Sequence, residues 1–200
     1  MAEDKKIPTK GALNANNPFA AKSTMLGQGG EKKKRSKTAS EYKKSLQEKQ
    51  TLKRLYGLSE RQFKRYVKET LEKMGRVENV SDELIKRLEK RLDNVIFRLG
   101  FAKSRAHARQ LVNHAYFLVN GKPVNIPSYQ VAKGDVVKIK PTKLKKLVFT
   151  ELAAALKKME TPMWLTLNKE SFEAKTIGDP SLAEVNPPVE ISLVFEFYSR

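Results

Sequence analysis

The sequence predicts an α+β fold: a helical N-terminal domain followed by a compact α/β module with a small, mostly antiparallel sheet. Three observations carry this expectation. Apolar residues recur at helical spacing in successive stretches between Ser40 and Leu99. The pair Asn120-Gly121 then separates two short β-favouring runs, the arrangement of a tight hairpin whose central residues need positive φ. Beyond it, apolar and polar residues alternate over Val136 to Lys140 and again near the C-terminus.

Charge dominates the composition. The 200 residues hold 40 Lys+Arg against 22 Asp+Glu, a net +18 that disfavours a compact state through self-repulsion unless a polyanion is at hand. An acidic partner is therefore expected. No apolar run approaches the roughly 20 residues of a membrane span, and no signal-peptide core stands at the N-terminus, so a cytoplasmic protein without a membrane partner is expected. The absence of cysteine excludes disulfides and thiolate metal sites. With His107 and His114 the only histidines, and no carboxylate or thiolate at ligand spacing, no metal, cofactor or small-molecule substrate is expected.

Taken in order, residues 1–37 read as a basic arm without a core of its own, broken by Pro8, Pro18, Gly27, Gly29 and Gly30 and ending in the run EKKKRSK. That run is either a solvated segment or one that orders against nucleic acid. Residues 38–90 form the helical domain. Ser40 caps a helix ending at Gly57, and Ser59 with Gln62 opens a second in which Phe63, Tyr66, Val67, Leu71 and Met74 make one stripe, stopped by Gly75. The opposite faces carry Lys49, Lys53, Arg54, Arg61, Lys64, Arg65 and Lys68. Ser81 caps a third helix, whose Leu84, Ile85, Leu88 and Leu92 continue unbroken into the next domain and stiffen that boundary.

Residues 91–140 form the α/β module. Leu92, Val95, Ile96 and Leu99 share a helix face ended by Gly100, and Ser104 caps a second helix with Leu111 and Val112 on its apolar side. Strands are expected at Tyr116 to Val119, Lys122 to Asn125 and Val136 to Lys140. Residues 141–200 supply a helix over Leu144, Leu147, Val148, Leu152, Ala155, Leu156 and Met159, a strand at Trp164 to Leu167, a loop from Gly178 to Pro188, and a last strand in which Val189, Ile191, Leu193, Phe195 and Phe197 alternate with polar residues. These are expected to pack on the preceding domains.

The module sets basic groups where a phosphate could use them. Lys103, Ser104 and Arg105 stand at a helix start, whose free amides attract anions, and Arg109 lies four residues beyond Arg105 on the same face. Gln110, His114, Asn120 and Lys122 extend this candidate RNA surface, with Lys53, Arg54, Arg61 and Lys64 of the helical domain as further contacts.

The succession Ser104-Arg105, Ala106, Arg109-Gln110-Leu111-Val112 and a basic Val-Asn-Gly hairpin resembles the RNA-binding module named after ribosomal protein S4. AxxRQLVxH, FLVNGKPVNI and PSYQV, with EKQTLKRLYGLSERQFKRY upstream and PxWL and FYSR near the end, resemble the ribosomal family itself over nearly everything after the first 30 residues. Two departures concern the arm: LGQGG stands where the family has a PGQHG-like turn, and the four zinc-binding cysteines of many relatives are missing.

The resemblance implies a structural constituent of the small ribosomal subunit that binds 16S ribosomal RNA and helps nucleate assembly. It also implies neighbours in proteins S5 and S3, proximity to messenger RNA, an influence on decoding accuracy and, in some relatives, repression of their own messenger. Two alternatives use the same module: an RNA-modifying enzyme of the pseudouridine synthase kind, and a chaperone that rescues stalled ribosomal particles. Arg91-Leu92-Asp93 imitates the catalytic Arg-Leu-Asp of those synthases. Here it continues a helical stripe, so Asp93 is expected to be a helix-surface acid or an ion-pair partner of an arginine.

Overall fold

Helix α1 (Glu41–Leu55) is the first element of the computed structural model, which describes residues 41–150, 152, 156 and 159–199. The expected arm 1–37 and the cap at Ser40 lie outside the described residues. α1 closes where Gly57, at φ +61°, donates its amide to Arg54 O and lets the chain reverse. Ser59 then caps α2 (Glu60–Leu71), its Oγ accepting from the Gln62 amide at 3.3 Å, as the sequence predicts. α2 stops at Leu71 rather than Gly75, because the amides of Lys73 and Met74 bond back three residues in tightened turns. Met74 consequently leaves the stripe and is exposed.

α3 (Val80–Glu89) is capped by Asn79, whose Oδ1 accepts from Ser81 and Asp82, and not by Ser81. It does not run on into the module. Arg91 is extended (φ −63°, ψ 135°) and separates α3 from α4 (Leu92–Arg98). The break is stable because the chain at 127–131 takes up the groups it frees: the Leu92 and Asp93 amides donate to the carbonyls of Tyr129 and Pro127, and the Val131 amide donates to Lys90 O.

α5 (Arg105–Asn113) follows, then β1 (Phe117–Val119), β2 (Lys122–Val124) and β3 (Val136–Ile139). The hairpin turn has Asn120 at φ +50° and Gly121 at φ +78°, the two positive φ values that its sequence demands. The long helix expected over 144–159 is interrupted. A short helix α6 (Pro141–Leu144) and a 3₁₀ turn (Leu147–Phe149) come first, leaving Leu147 and Val148 exposed. Only beyond them are Leu152 and Leu156 helical and buried; Ala155 lies outside the described residues.

β4 (Leu165–Asn168) and β5 (Glu173–Thr176) then join the module's sheet, giving an all-antiparallel order β2-β1-β3-β5-β4. β5 is a strand that the sequence does not announce; Glu173, Ala174, Lys175 and Thr176 alternate in burial but carry little apolar bulk. The loop expected from Gly178 contains α7 (Leu182–Val185), capped by Ser181.

The C-terminal stretch is a helix, α8 (Ile191–Ser199), and not the expected strand. Its sequence satisfies both periods. Ile191, Val194, Phe195 and Tyr198 also fall at i, i+3, i+4 and i+7, and the apolar flank of α1 and α2 accepts that face. Fully burying Ile191 and Val194 there is worth about 1.5–3 kcal/mol each.

Two cores result. One joins Leu92, Val95, Ile96 and Leu99 to the inner face of the sheet, with Phe117, Val119, Val137, Ile139 and Ala174. The other lies among Leu52, Phe63, Val67, Leu84, Ile85 and Leu88 and is closed by α8.

Candidate nucleic-acid interface

α5 presents the expected helix start. Ser104 is extended (φ −153°, ψ 161°) and its Oγ accepts from the His107 amide at 3.2 Å, which orients the first turn. Lys103, Ser104, Gln110 and His114 are all exposed. His114 terminates the helix.

Arg105 and Arg109 behave differently, because acceptors inside the protein lie within their reach. Arg105 Nε donates to Asn94 Oδ1 at 2.7 Å, and its guanidinium lies 4.5 Å from the ring centre of Phe97 and 5.0 Å from that of Tyr56. Burial holds its pKa below the ordinary arginine value. Arg109 donates from Nε and Nη2 to Asp93 Oδ2 at 3.0 and 2.9 Å, and reaches the carbonyls of Gly57 and Tyr56 at 2.6 and 3.0 Å. Both side chains thus tie α5 to α4 and to the end of α1.

They belong to a buried ionic seam between the two cores. Asp93 receives two bonds from Arg91, at 3.0 and 2.7 Å, besides those from Arg109, and Arg91 also donates to Tyr66 Oη at 2.8 Å. Asp93 is the ion-pair partner of two arginines, not a surface acid. Glu89, fully buried, accepts from the Tyr56 hydroxyl, from Asn94 Nδ2 and from two nitrogens of Arg98 at 2.7–2.9 Å. Burial, with the Glu89 carboxylate in contact, pushes the Tyr56 hydroxyl far up. Each carboxylate is saturated by charged or hydrogen-bonded donors, which is what allows it to be buried.

Asn120 stays exposed but spends its side chain within the protein. Its Oδ1 accepts from the Val136 amide at 2.9 Å and its Nδ2 donates to Asp135 Oδ1 at 2.8 Å, which pins the hairpin to the start of β3. Lys122 stays exposed on the edge strand.

On the helical domain, Arg54, Arg61 and Lys64 are exposed, and their side chains have no hydrogen-bond or ion-pair partner among the described residues. Lys53 instead pairs with Glu60 at 2.9 Å. Lys49, expected on the solvent face, is buried: its Nζ bonds Glu60 at 2.9 Å and lies 4.3 Å from the ring centre of Phe197 in α8. Burial opposes ionisation of Glu60, but bonds from Lys49, Lys53 and Tyr198 outweigh it and hold the pKa down to about 2. From the sequence Asp93 is open to an ion pair, but Glu89 and Asn94 are not singled out, because the burial that makes them seam residues comes from Tyr56, 33 residues before Glu89, and from Arg105 on the next helix. Among the described residues, no cluster of His, Asp or Glu could hold a metal ion.

A basic, Ser-capped helix followed in the chain by an Asn-Gly hairpin marks the class built on the S4 domain, whose family model matches residues 90–137. The model of the ribosomal protein S4/S9 N-terminal domain matches residues 5–89. Small ribosomal subunit protein uS4 of Persephonella marina is 43% identical over 190 residues, covering 94% of this chain and 90% of that protein. The uS4 of Halothermothrix orenii is 44% identical over 171 residues, 86% of this chain and 81% of that one, and the uS4 of Thermodesulfovibrio yellowstonii 45% over 162, or 80% and 76%. This chain belongs to the uS4 family of small ribosomal subunit proteins. It is a structural protein of the cytoplasm and not an enzyme, which removes the synthase alternative.

Proposed function

We propose that the protein binds 16S ribosomal RNA directly, helps nucleate assembly of the small subunit and thereby influences decoding accuracy. The observation that carries this is the division among its cations. Arg91, buried, and Arg98 and Arg109, half-buried, are consumed by Glu89 and Asp93 in fixing the two cores together, while Arg54, Arg61 and Lys64 are exposed with no partner among the described residues, and Lys103, Ser104, Gln110, His114 and Lys122 are exposed on the module. A surface held rigid before binding loses less entropy on docking, so its phosphate contacts translate more fully into affinity. Arg105, Arg109, Lys53 and Asn120 then act by positioning that surface.

In this reading the organisation is an arm at 1–37, a helical domain at 38–90 completed by α8, a module at 91–140 and a C-terminal segment shared between the two cores. Family resemblance supplies the finer partners, proteins S5 and S3 and messenger RNA, and self-repression in some relatives. Hydroxyl-radical footprinting of 16S ribosomal RNA in reconstituted small subunits tests the reading. Protection that disappears with Arg54→Gln/Arg61→Gln/Lys64→Gln is expected; near-stoichiometric incorporation without any dependence on these side chains would refute their role.

A further inference from the structure

The sheet spends one face on the module core; the positions on the other are half-buried or exposed. Because Phe117, Val119, Val137, Ile139 and Ala174 are buried, alternation turns Leu118, Lys138, Glu173 and Lys175 to the opposite side. The register aligns them. Leu118 pairs with Lys138, Lys138 with Glu173 and Glu173 with Asn168; in the next row Val136 pairs with Lys175 and Lys175 with Thr166. Lys140 continues the β3 ladder, its amide donating to Tyr116 O at 2.8 Å, and so shares the face of Lys138.

The spacing of these lysines follows from strand geometry. Lys140 and Lys138 are two residues apart along a strand, about 6.7 Å. Lys138 and Lys175 are diagonal neighbours across a strand pair, about 7–8 Å. The three lysine positions therefore form a line that crosses the middle of the sheet obliquely. The carboxylate that the register adds, Glu173, is already engaged by Lys138 at 2.5 Å. Lys143 extends the line at one end, with Nζ 4.9 Å from the ring centre of Tyr116. At the other end Thr166 and Asn168, both exposed, add uncharged hydrogen-bonding groups.

We propose that this outer face is a second RNA surface, distinct from the α5 helix start, which takes a ribose–phosphate backbone along Lys140, Lys138 and Lys175 without reading bases. A linear row of cations matches a polyanion strand better than it matches a point anion. The apolar side chains among these positions, Leu118 and Val136, are aliphatic and half-buried, so no aromatic ring stands there to stack on splayed bases. The surface rests on the RNA-binding reading above and deepens it.

The test titrates the full chain against a 16S ribosomal RNA transcript at several salt concentrations. Each neutralised phosphate contributes roughly 0.7–0.9 to the log–log slope, and Lys138 is held by Glu173 in the free protein. Lys138→Gln/Lys140→Gln/Lys175→Gln should therefore lower the slope's magnitude by about 1.4–1.8, the share of Lys140 and Lys175, with the melting midpoint held near wild type. An unchanged slope overturns the proposal. A second variant guards against misfolding of the first: Glu173→Gln frees Lys138 for phosphate and should steepen the slope by about 0.7–0.9. If neither variant moves the slope while an acidic protein is lost from reconstituted particles containing the triple variant, the face serves a protein and the proposal falls. A wild-type chain that fails to bind the transcript defeats the general RNA-binding reading instead, and the sheet surface with it.

Discussion

Replacing Arg109 by Ala separates a seam residue from a phosphate ligand. The substitution removes two bonds to Asp93 and two to the carbonyls of Tyr56 and Gly57. Depriving a buried carboxylate of its whole partner costs about 3–5 kcal/mol. Here Asp93, with a side chain 3% exposed, keeps both bonds from Arg91, and the Arg109 side chain is itself 30% exposed, so water can enter the gap. The expected loss is therefore about 2–3 kcal/mol. For a chain of this size that lowers the melting midpoint by about 4–12 °C. Urea titration of wild type, Arg109→Ala, Asp93→Asn and the double variant should give a coupling energy of about 1–2 kcal/mol between the two side chains. The salt slope of RNA binding should stay as in wild type. A stability loss below about 0.5 kcal/mol, joined to a salt slope smaller by about one unit, would place Arg109 on a phosphate and refute the reasoning.

Gly121→Val forces a β-branched residue to φ +78° and should melt the module earlier by several degrees as well as weaken RNA binding, which parallel melting and binding curves will show. Glu60 has a folded pKa of about 2 against an ordinary 4.5, so its contribution to stability is complete above about pH 4.5 and fades as pH falls toward 2. Glu60→Gln should flatten that acid limb of the melting midpoint; an identical limb in both proteins would mean that Glu60 does not anchor Tyr198 and α8. Exhaustive chelation should leave both thermal unfolding and RNA affinity unchanged, and a loss restored only by zinc would contradict this.

What could be read from the sequence divides by the range of the interaction that decides it. Ser59, Ser104 and Asn120-Gly121 act on amides or φ angles within a few residues, and each does what its type predicts. The break at Arg91 could not be read, because Leu88 and Leu92 are correctly spaced for one helix and the competing acceptors lie near residue 129. The last segment failed for a related reason: its apolar residues fit a strand and a helix equally, and the surface of α1, some 140 residues earlier in the chain, made the choice. The candidate RNA residues split along the same line. Lys103 and Gln110 stay on the surface where the helix start puts them, whereas Arg105 and Arg109 are drawn inward by Asn94 and Asp93. An arginine's sequence position cannot say which acceptor it meets first.

The closure of the helical core by α8 also fixes an order of events during synthesis. The module holds its sheet once Thr176 is available, since β5 is the last strand it requires. The earlier-made α1, α2 and α3 must wait longer, because Ile191 and Val194 seal them and Tyr198 reaches Glu60 across 138 residues of chain. Domains ordinarily mature from the N-terminus as they are made. Here the helices translated before the module are sealed after it, so nascent chains carry an open apolar groove on α1 and α2 until α8 has been made, and a deletion of α8 alone should expose that groove to chaperones while the sheet folds as usual.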